Sequence, residues 1–166
     1  MLFPDSFKVS TPSDCEIQVT RDFDAPRRLV FDAFIKPELV RRWLLGPPEW
    51  TMPLCEIDLR VGGAYRYVWR CEQDGSQMAM GGLFRQVIPL ERLVATQKFD
   101  HAWYPGEALG TTVFQEVRDI TRTTITVLYE SKEARDTASR SGMEHGMAAS
   151  YDRLEALLPT FTGERT

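Results

Sequence analysis

The sequence predicts an α+β fold in which a curved antiparallel sheet of seven strands wraps around one long C-terminal helix, in the order β-α-α-β6-α. Two observations carry that expectation. Alternating apolar and polar runs, broken by Gly, Pro and Asp turn signals, recur from Met52 to Ser131 at the period-two spacing of half-buried strands. The chain then closes on a segment, Ser141 to Leu158, that places Met143, Met147, Ser150, Tyr151, Leu154, Leu157 and Leu158 on one helical stripe. An antiparallel sheet needs its apolar face covered, and one helix lying across it does that. A curved sheet gripping a helix leaves room that side chains of ordinary size do not fill, so a cavity is the expected by-product.

Residues 1–14 mix Pro, Ser, Asp and Lys without periodicity and read as a flexible or loosely docked lead-in to a single domain over 15–158, with 159–166 as a tail. Cys15 to Phe23 alternates, with Cys15, Ile17, Val19, Arg21 and Phe23 on one face of a strand. Asp24-Ala25-Pro26 offers an N-cap and an early proline to a helix over RRLVFDAFI. Lys36-Pro37 interrupts it and a second short helix runs to Trp43, before the Gly46-Pro47-Pro48 loop. Six strands follow: Leu54 to Val61, Ala64 to Cys71, Gln77 to Ile88, Arg92 to Phe99, Thr111 to Val117 and Thr123 to Ser131. Their connections are Gly62-Gly63, Glu72-Gln73-Asp74-Gly75, Pro89-Leu90-Glu91, a longer loop over 100–110, and a turn over 118–122. Gly81-Gly82 inside a strand marks a bulge, a bend, or a place where another backbone or a ligand comes close. The last helical pattern begins at Ser131 or Lys132 and stops at Pro159, with Glu144, His145, Asp152, Arg153 and Glu155 on or near its polar side. Gly142 and Gly146 each cost it about 1 kcal/mol against Ala, so close packing or a kink is expected there.

Lys plus Arg 20 against Asp plus Glu 24 gives a net charge of −4, and 43% of residues are hydrophobic. This describes one globular domain with material for a core and no basic block to serve nucleic acid. No apolar stretch approaches the roughly 20 residues of a membrane span, and MLFPDSFKVSTPSD lacks the basic and apolar regions of a secretory signal. A cytoplasmic protein is expected. Cys15, Cys55 and Cys71 have no C-x-x-C spacing and read as small buried hydrophobes. There is no Asn, and His101 and His145 are the two histidines, without metal-ligand spacing. G-x-S-x-G, P-loop and G-x-G-x-x-G patterns are absent, and the pairs Glu56/Asp58 and Glu116/Asp119 read as solvated carboxylates or partners of Arg60, Arg85 and Arg118. No catalytic residue, metal or cofactor is assigned.

The 11% aromatic content is the positive signal, since Leu, Ile and Val alone could build a core of this size. Strand parity puts Tyr65, Tyr67 and Trp69 on one face, which Trp43, Phe84, Phe99, Trp103, Phe114 and Tyr151 can join as the lining of an apolar pocket. Met78 and Met80 on a strand, with Met143 and Met147 at i, i+4 on the helix, suit a pocket of irregular shape. Gln97, with Thr112 and Ser150, supplies polar groups able to orient a ligand. His101 lies in the longest loop, where an acid–base role is chemically open but no second catalytic partner can be placed.

R-D-F-D-A-P-R-R-L-V-F-D-A-F, P-E-L-V-R-R-W, G-G-A-Y-R-Y-V-W-R, P-L-E-R-L-V and S-G-M-E-H-G-M-A-A-S-Y-D-R-L, in that order, resemble the family named for the C-terminal domain of the activator of the Hsp90 ATPase. That family lies within the START-like superfamily of helix-grip proteins, with the polyketide cyclases and the Bet v 1 allergen group, and the resemblance runs from about Cys15 to Leu158. It implies a ligand-accessible cavity between the long helix and the sheet and no shared catalytic set. The expected function is binding of a small hydrophobic molecule, aromatic or lipid-like, without catalysis. A cyclase- or hydrolase-like enzyme in the same cavity, with His101 or a tyrosine carrying the proton, is the alternative. An Hsp90 homologue is a third and less favoured partner, because the separate N-terminal domain that carries much of the Hsp90 contact in the eukaryotic co-chaperone does not precede the matched segment. Pairing of two subunits through an exposed sheet edge or the N-terminal arm is left open.

Overall fold

The architecture is known from a computed structural model that describes residues 4–101 and 104–161. A one-turn 3-10 helix at Pro4–Ser6 leads into β1 (Lys8–Ser10) and β2 (Glu16–Phe23), followed by α1 (Arg27–Ile35) and α2 (Pro37–Trp43). The meander is β3 (Trp50–Ile57), β4 (Ala64–Cys71), β5 (Gln77–Ile88), β6 (Arg92–Phe99), β7 (Ala108–Val117) and β8 (Ile120–Leu128), and the chain ends in α3 (Lys132–Ser139) and α4 (Met143–Phe161). All pairs are antiparallel, in the order β1-β2-β8-β7-β6-β5-β4-β3. The two short helices carry the chain from β2 to the far edge of the sheet, and the meander brings it back to pair β8 with β2.

This is the α+β helix-grip architecture, with several differences from the sequence expectation, among them that β3 ends at Ile57 rather than Val61, β7 begins at Ala108 rather than Thr111, and β8 spans Ile120–Leu128 rather than Thr123 to Ser131. The sheet has eight strands rather than seven: Lys8, Val9 and Ser10 pair with Thr20, Val19 and Gln18, while Phe7 stands edge-on to Tyr151. The C-terminal helix is two helices, separated where Gly142 takes φ +86, a left-handed conformation that favours glycine. Ser131 caps the first of them, accepting from Ala134 N at 3.0 Å. Pro159 lies inside the last turn of α4 rather than stopping it, because Phe161 is drawn into the core and its ring meets the Arg42 guanidinium at 5.2 Å. Strand β3 begins at Trp50, four residues ahead of the expected start, and tolerates Pro53 because it is an edge strand with its irregularity between Thr51 and Leu54.

Two local corrections have simple causes. Asp24 does not cap α1; Pro26 holds that position, and the Arg27 N–H donates to the Glu116 carboxylate at 2.6 Å, so a residue from β7 caps the helix. The last hairpin turns on Arg118 and Asp119, whose φ values of 54 and 64 are those of a two-residue primed turn matching the twist of the strands.

Buried apolar residues gather in three clusters. The largest packs α1, α2 and the C-terminal half of α4 onto the sheet around Phe23, Val30, Trp43, Phe114, Tyr151 and Leu154. A second joins β2, β8 and α3 through Ile17, Ala108, Val127, Tyr129 and Ala134, with Tyr104. A third sets Val40 against Met52, Cys55 and Trp69. Each fully buried large side chain contributes about 1.5–3 kcal/mol by leaving water, and the first cluster holds most of them.

Candidate functional site

Registered pairs share a face of the sheet, so the pairing places the inner-face residues in rows. One row runs Cys55, Tyr67, Met80, Phe99; a second begins Ile57, Tyr65, Gly82. The next rows pair Phe84 with Ala95, Gly110 and Val127, and Leu93 with Thr112 and Ile125. At the middle of the sheet the inner face therefore carries Gly82, Ala95, Ala108 and Gly110, the smallest residues available. Two larger side chains lie across this floor. Tyr65 reaches over its partner Gly82 and donates its hydroxyl to Thr96 O at 2.6 Å, and a Cβ on Gly82 would run into that same carbonyl. The Gln97 amide lies where a Cβ on Gly110 would be. The double glycine is thus a place of close backbone approach, one of the uses expected of it.

The expected lining residues divide into two groups. Trp43, Tyr65, Trp69, Phe84, Phe114 and Tyr151 are buried in packing. The polar atoms of three of them are satisfied within the protein: Trp43 Nε1 donates to Ala33 O at 2.9 Å, Trp69 Nε1 to Leu44 O at 2.7 Å, and Tyr65 as described. Tyr67, Met80, Gln97, Phe99, Met143 and Met147 are half-buried, as are Ala95, Thr112 and Ile125 of the same face. Phe99 and Ile125 each pack against two of the three clusters, so this second group occupies the ground between them. Met78 is exposed at the start of β5, Met143 Sδ stands 4.0 Å from the Tyr129 hydroxyl, and Trp103 lies outside the described residues. Ser150 is occupied in holding the loop after α2, accepting from Gly46 N at 2.9 Å.

Burial governs the ionisable groups here. It pushes the phenols of Tyr65, Tyr67, Tyr129 and Tyr151 well above the ordinary tyrosine range. The Cys55 thiol is pushed up to about 11 by burial, partly opposed by Arg41, so it is an unreactive thiol at neutral pH. The buried cation of the inner face, Arg21, donates to Asp152 Oδ1 at 2.9 Å and to Glu155 Oε2. Glu155 is therefore buried, not part of a solvated helix face, because Arg21 reaches it across the core. The Tyr151 hydroxyl faces Thr123, which turns its own hydroxyl to Arg21 O at 3.4 Å, and Tyr151 is left without a well-formed hydrogen bond.

His101 and His145 are both exposed, and among the described residues no group of three His, Cys, Asp or Glu side chains is placed to hold a metal. A cleft of about 510 Å³ opens at Gly81 and Gly82. Its rim of Glu56, Arg66, Lys98, Asp100 and Glu107 belongs to the outer face, where Gly81 leaves a gap between Arg66 and Lys98. Both Asp100 oxygens hold Arg66, at 3.1 and 2.6 Å, so charges are paired at the rim, while Ala64, Tyr65, Phe99 and the two glycines give the cleft an apolar wall.

The whole architecture agrees with one family by sequence profile: that of activator of Hsp90 ATPase homolog 1-like protein matches residues 24–159. The chain belongs to this family. Among solved structures, a Rhodobacter sphaeroides protein is similar at 27% identity and TM-score 0.87, with 94% of this chain and 99% of that one covered. An AHSA1-like protein from Aeromonas hydrophila is similar at 17% identity and TM-score 0.67, covering 84% of this chain and 92% of that one. DynU16, described as a putative protein in the dynemicin biosynthetic locus, shares the fold at 19% identity and TM-score 0.65 over 90% of this chain and 48% of that one. Among curated proteins none matches. No helix among the described residues is long and apolar enough to cross a membrane.

Alternation puts Ala95 on the face of Gln97, but sequence reasoning missed the small floor residues Ala108 and Gly110 beside it. Their signal lies in β7, and it becomes visible only when the register sets them beside β6.

Proposed function

We propose that the protein binds a small hydrophobic molecule, aromatic or lipid-like, between the inner face of the sheet and the N-terminal half of α4. The observation that carries this reading is the strip of half-buried inner-face residues, Tyr67, Met80, Phe99, Gln97, Ala95, Thr112 and Ile125, running between three buried clusters over a floor of Gly and Ala. A well-packed domain of this size ordinarily has one contiguous core, and side chains lie accessible at its centre only where something else is meant to cover them. The helix above supports the same reading: from Met143 to Ala149 no residue is buried, whereas Ser150, Tyr151, Leu154, Glu155 and Leu158 are. Tyr67 combines a hydroxyl whose ionisation burial strongly opposes with a side chain that keeps accessible surface, the combination expected beside internal space.

Binding is favoured over cyclase chemistry because, among the described residues, the inner face offers no acid–base group suited to neutral pH. The histidines are outside, the phenols are held protonated, and the inner carboxylate Glu155 is taken up by Arg21. The test is thermal unfolding and amide NMR with a panel of neutral aromatics, fatty alcohols and fatty acids. A ligand at one hundred times its Kd adds about 2.7 kcal/mol to stability, a rise in Tm of several degrees, with shifts concentrated on β4–β7 and the start of α4. If no compound raises Tm and xenon produces no shifts at Ala95 or Gly110, the space is packed and this function is excluded.

A further inference from the structure

The polar groups of the inner face sort themselves by whether the protein satisfies them. Thr121 donates to Ala25 O at 2.7 Å, and Trp43, Trp69, Tyr65 and Ser150 are likewise engaged. The side chains of Tyr67, Gln97 and Thr112 make no hydrogen bond among the described residues and keep accessible surface, whereas the unpaired Tyr151 hydroxyl is fully buried; of these, Tyr67 and Gln97 have the longer reach. Tyr67 stands at one end of the half-buried strip and Gln97 near its middle. From Tyr67 the register crosses Met80 to Phe99, and Gln97 lies two residues along β6. Strand spacings of about 4.8 Å across and 3.3 Å along put their Cα atoms roughly 12 Å apart, the length of a molecule of two or three fused rings.

The same strip is free of charge. None of its strand residues is ionised at neutral pH, and the inner-face cation Arg21 is already neutralised by Glu155 and Asp152. An anionic or cationic ligand would lose its hydration there without gaining a counter-charge, which is costly for any ion. A neutral hydrogen-bonding oxygen would instead satisfy a donor that otherwise stays unpaired, and unpaired polar groups are what make hydrogen-bonding sites selective.

We propose, on the reading of this face as a ligand-binding surface, that the ligand is an uncharged, largely apolar molecule carrying a carbonyl or hydroxyl oxygen, and that Tyr67 and Gln97 are the residues that select it. Tyr67 donates to that oxygen, and the Gln97 amide, which can donate and accept, meets a second polar group or the opposite edge of the ligand. Burial keeps the Tyr67 phenol protonated far into the alkaline range, so it serves as a donor throughout neutral pH.

The test uses three matched probes on the full chain: 2-acetylnaphthalene, 2-ethylnaphthalene and 2-naphthoate, with affinities read by NMR titration on the wild type, Tyr67→Phe and Gln97→Met. The expected result is that the wild type binds the ketone about tenfold tighter than the hydrocarbon and the carboxylate weakest of the three. Tyr67→Phe brings the ketone down to the hydrocarbon's affinity and leaves the hydrocarbon unchanged, and Gln97→Met weakens the ketone less. Equal affinity for ketone and hydrocarbon, preference for the carboxylate, or a ketone preference that survives Tyr67→Phe overturns the selection while leaving hydrophobic binding standing. Failure of all three probes to bind removes the binding surface itself. Unliganded Tyr67→Phe melts with the wild type; a markedly lower Tm means that the hydroxyl is used inside the protein and also overturns the proposal.

Discussion

Arg21 is fully buried on β2 between Val19 and Phe23, its guanidinium 5.5 Å from the Phe23 ring and donating to Glu155 and Asp152 on α4. It ties the first long strand to the last helix across the core. A charge in that position is costly, and the attraction repays the cost only while both partners remain, so removing one leaves the other buried and uncompensated. Arg21→Met is expected to cost about 3–5 kcal/mol in urea unfolding, and Arg21→Met with Glu155→Leu to recover most of that loss. A single variant within about 1 kcal/mol of the wild type would show that the pair is solvated and contributes little. Half of this was legible in the sequence. Alternation put Arg21 on the buried face, but its partner is 134 residues away, and helical periodicity alone placed Glu155 on the polar side because a carboxylate beside Leu154 has no visible reason to be inside.

At the scale of the element, α4 is two helices in one: an accessible N-terminal half and a C-terminal half locked by Tyr151, Leu154, Leu158 and Phe161. Gly146 sits in the first half, and a Cβ added there would meet nothing within 4 Å. Close packing is thus not its reason. Gly142 differs, since its φ of +86 makes it the break between α3 and α4. Gly146→Ala is expected to stabilise the protein by about 0.5–1 kcal/mol through helix propensity and the smaller entropy of the unfolded chain, read as a higher urea midpoint at unchanged slope. A loss of stability would place an atom against that face of the helix, and unchanged stability would mean that the first half of α4 is already frayed. Strand bounds were legible where turns are chemically marked: β4, β5 and β6 match the reading residue for residue, flanked by Gly62-Gly63, Asp74-Gly75 and Pro89-Leu90. They were not legible where tertiary context decides. The edge position of β3 admits Pro53, the cap of α1 comes from Glu116 on another strand, and β1 is a three-residue strand whose pairing rests on contact with β2.

For the molecule as a whole, the same burial that builds the candidate site sets its response to alkali. The chain has five tyrosines, and all five phenols are raised, with burial the leading cause each time; Cys55 is raised from 9.0 to about 11 for the same reason. These groups are neutral in both states at neutral pH. As pH climbs past 9.0, the unfolded chain releases the Cys55 proton and then, near 10, its tyrosine protons, while the folded chain retains them. The unfolded state then binds fewer protons than the native state, so the slope of stability against pH is negative. The contribution is complete below pH 9.0 and is lost as pH rises through the folded values. The urea midpoint is therefore expected to fall steeply above about pH 9, and tyrosinate absorbance to appear together with the loss of far-ultraviolet circular dichroism rather than ahead of it. Tyrosines that ionise near pH 10 while the dichroism is intact would contradict this, and would mean that the inner face of the sheet is open to bulk water.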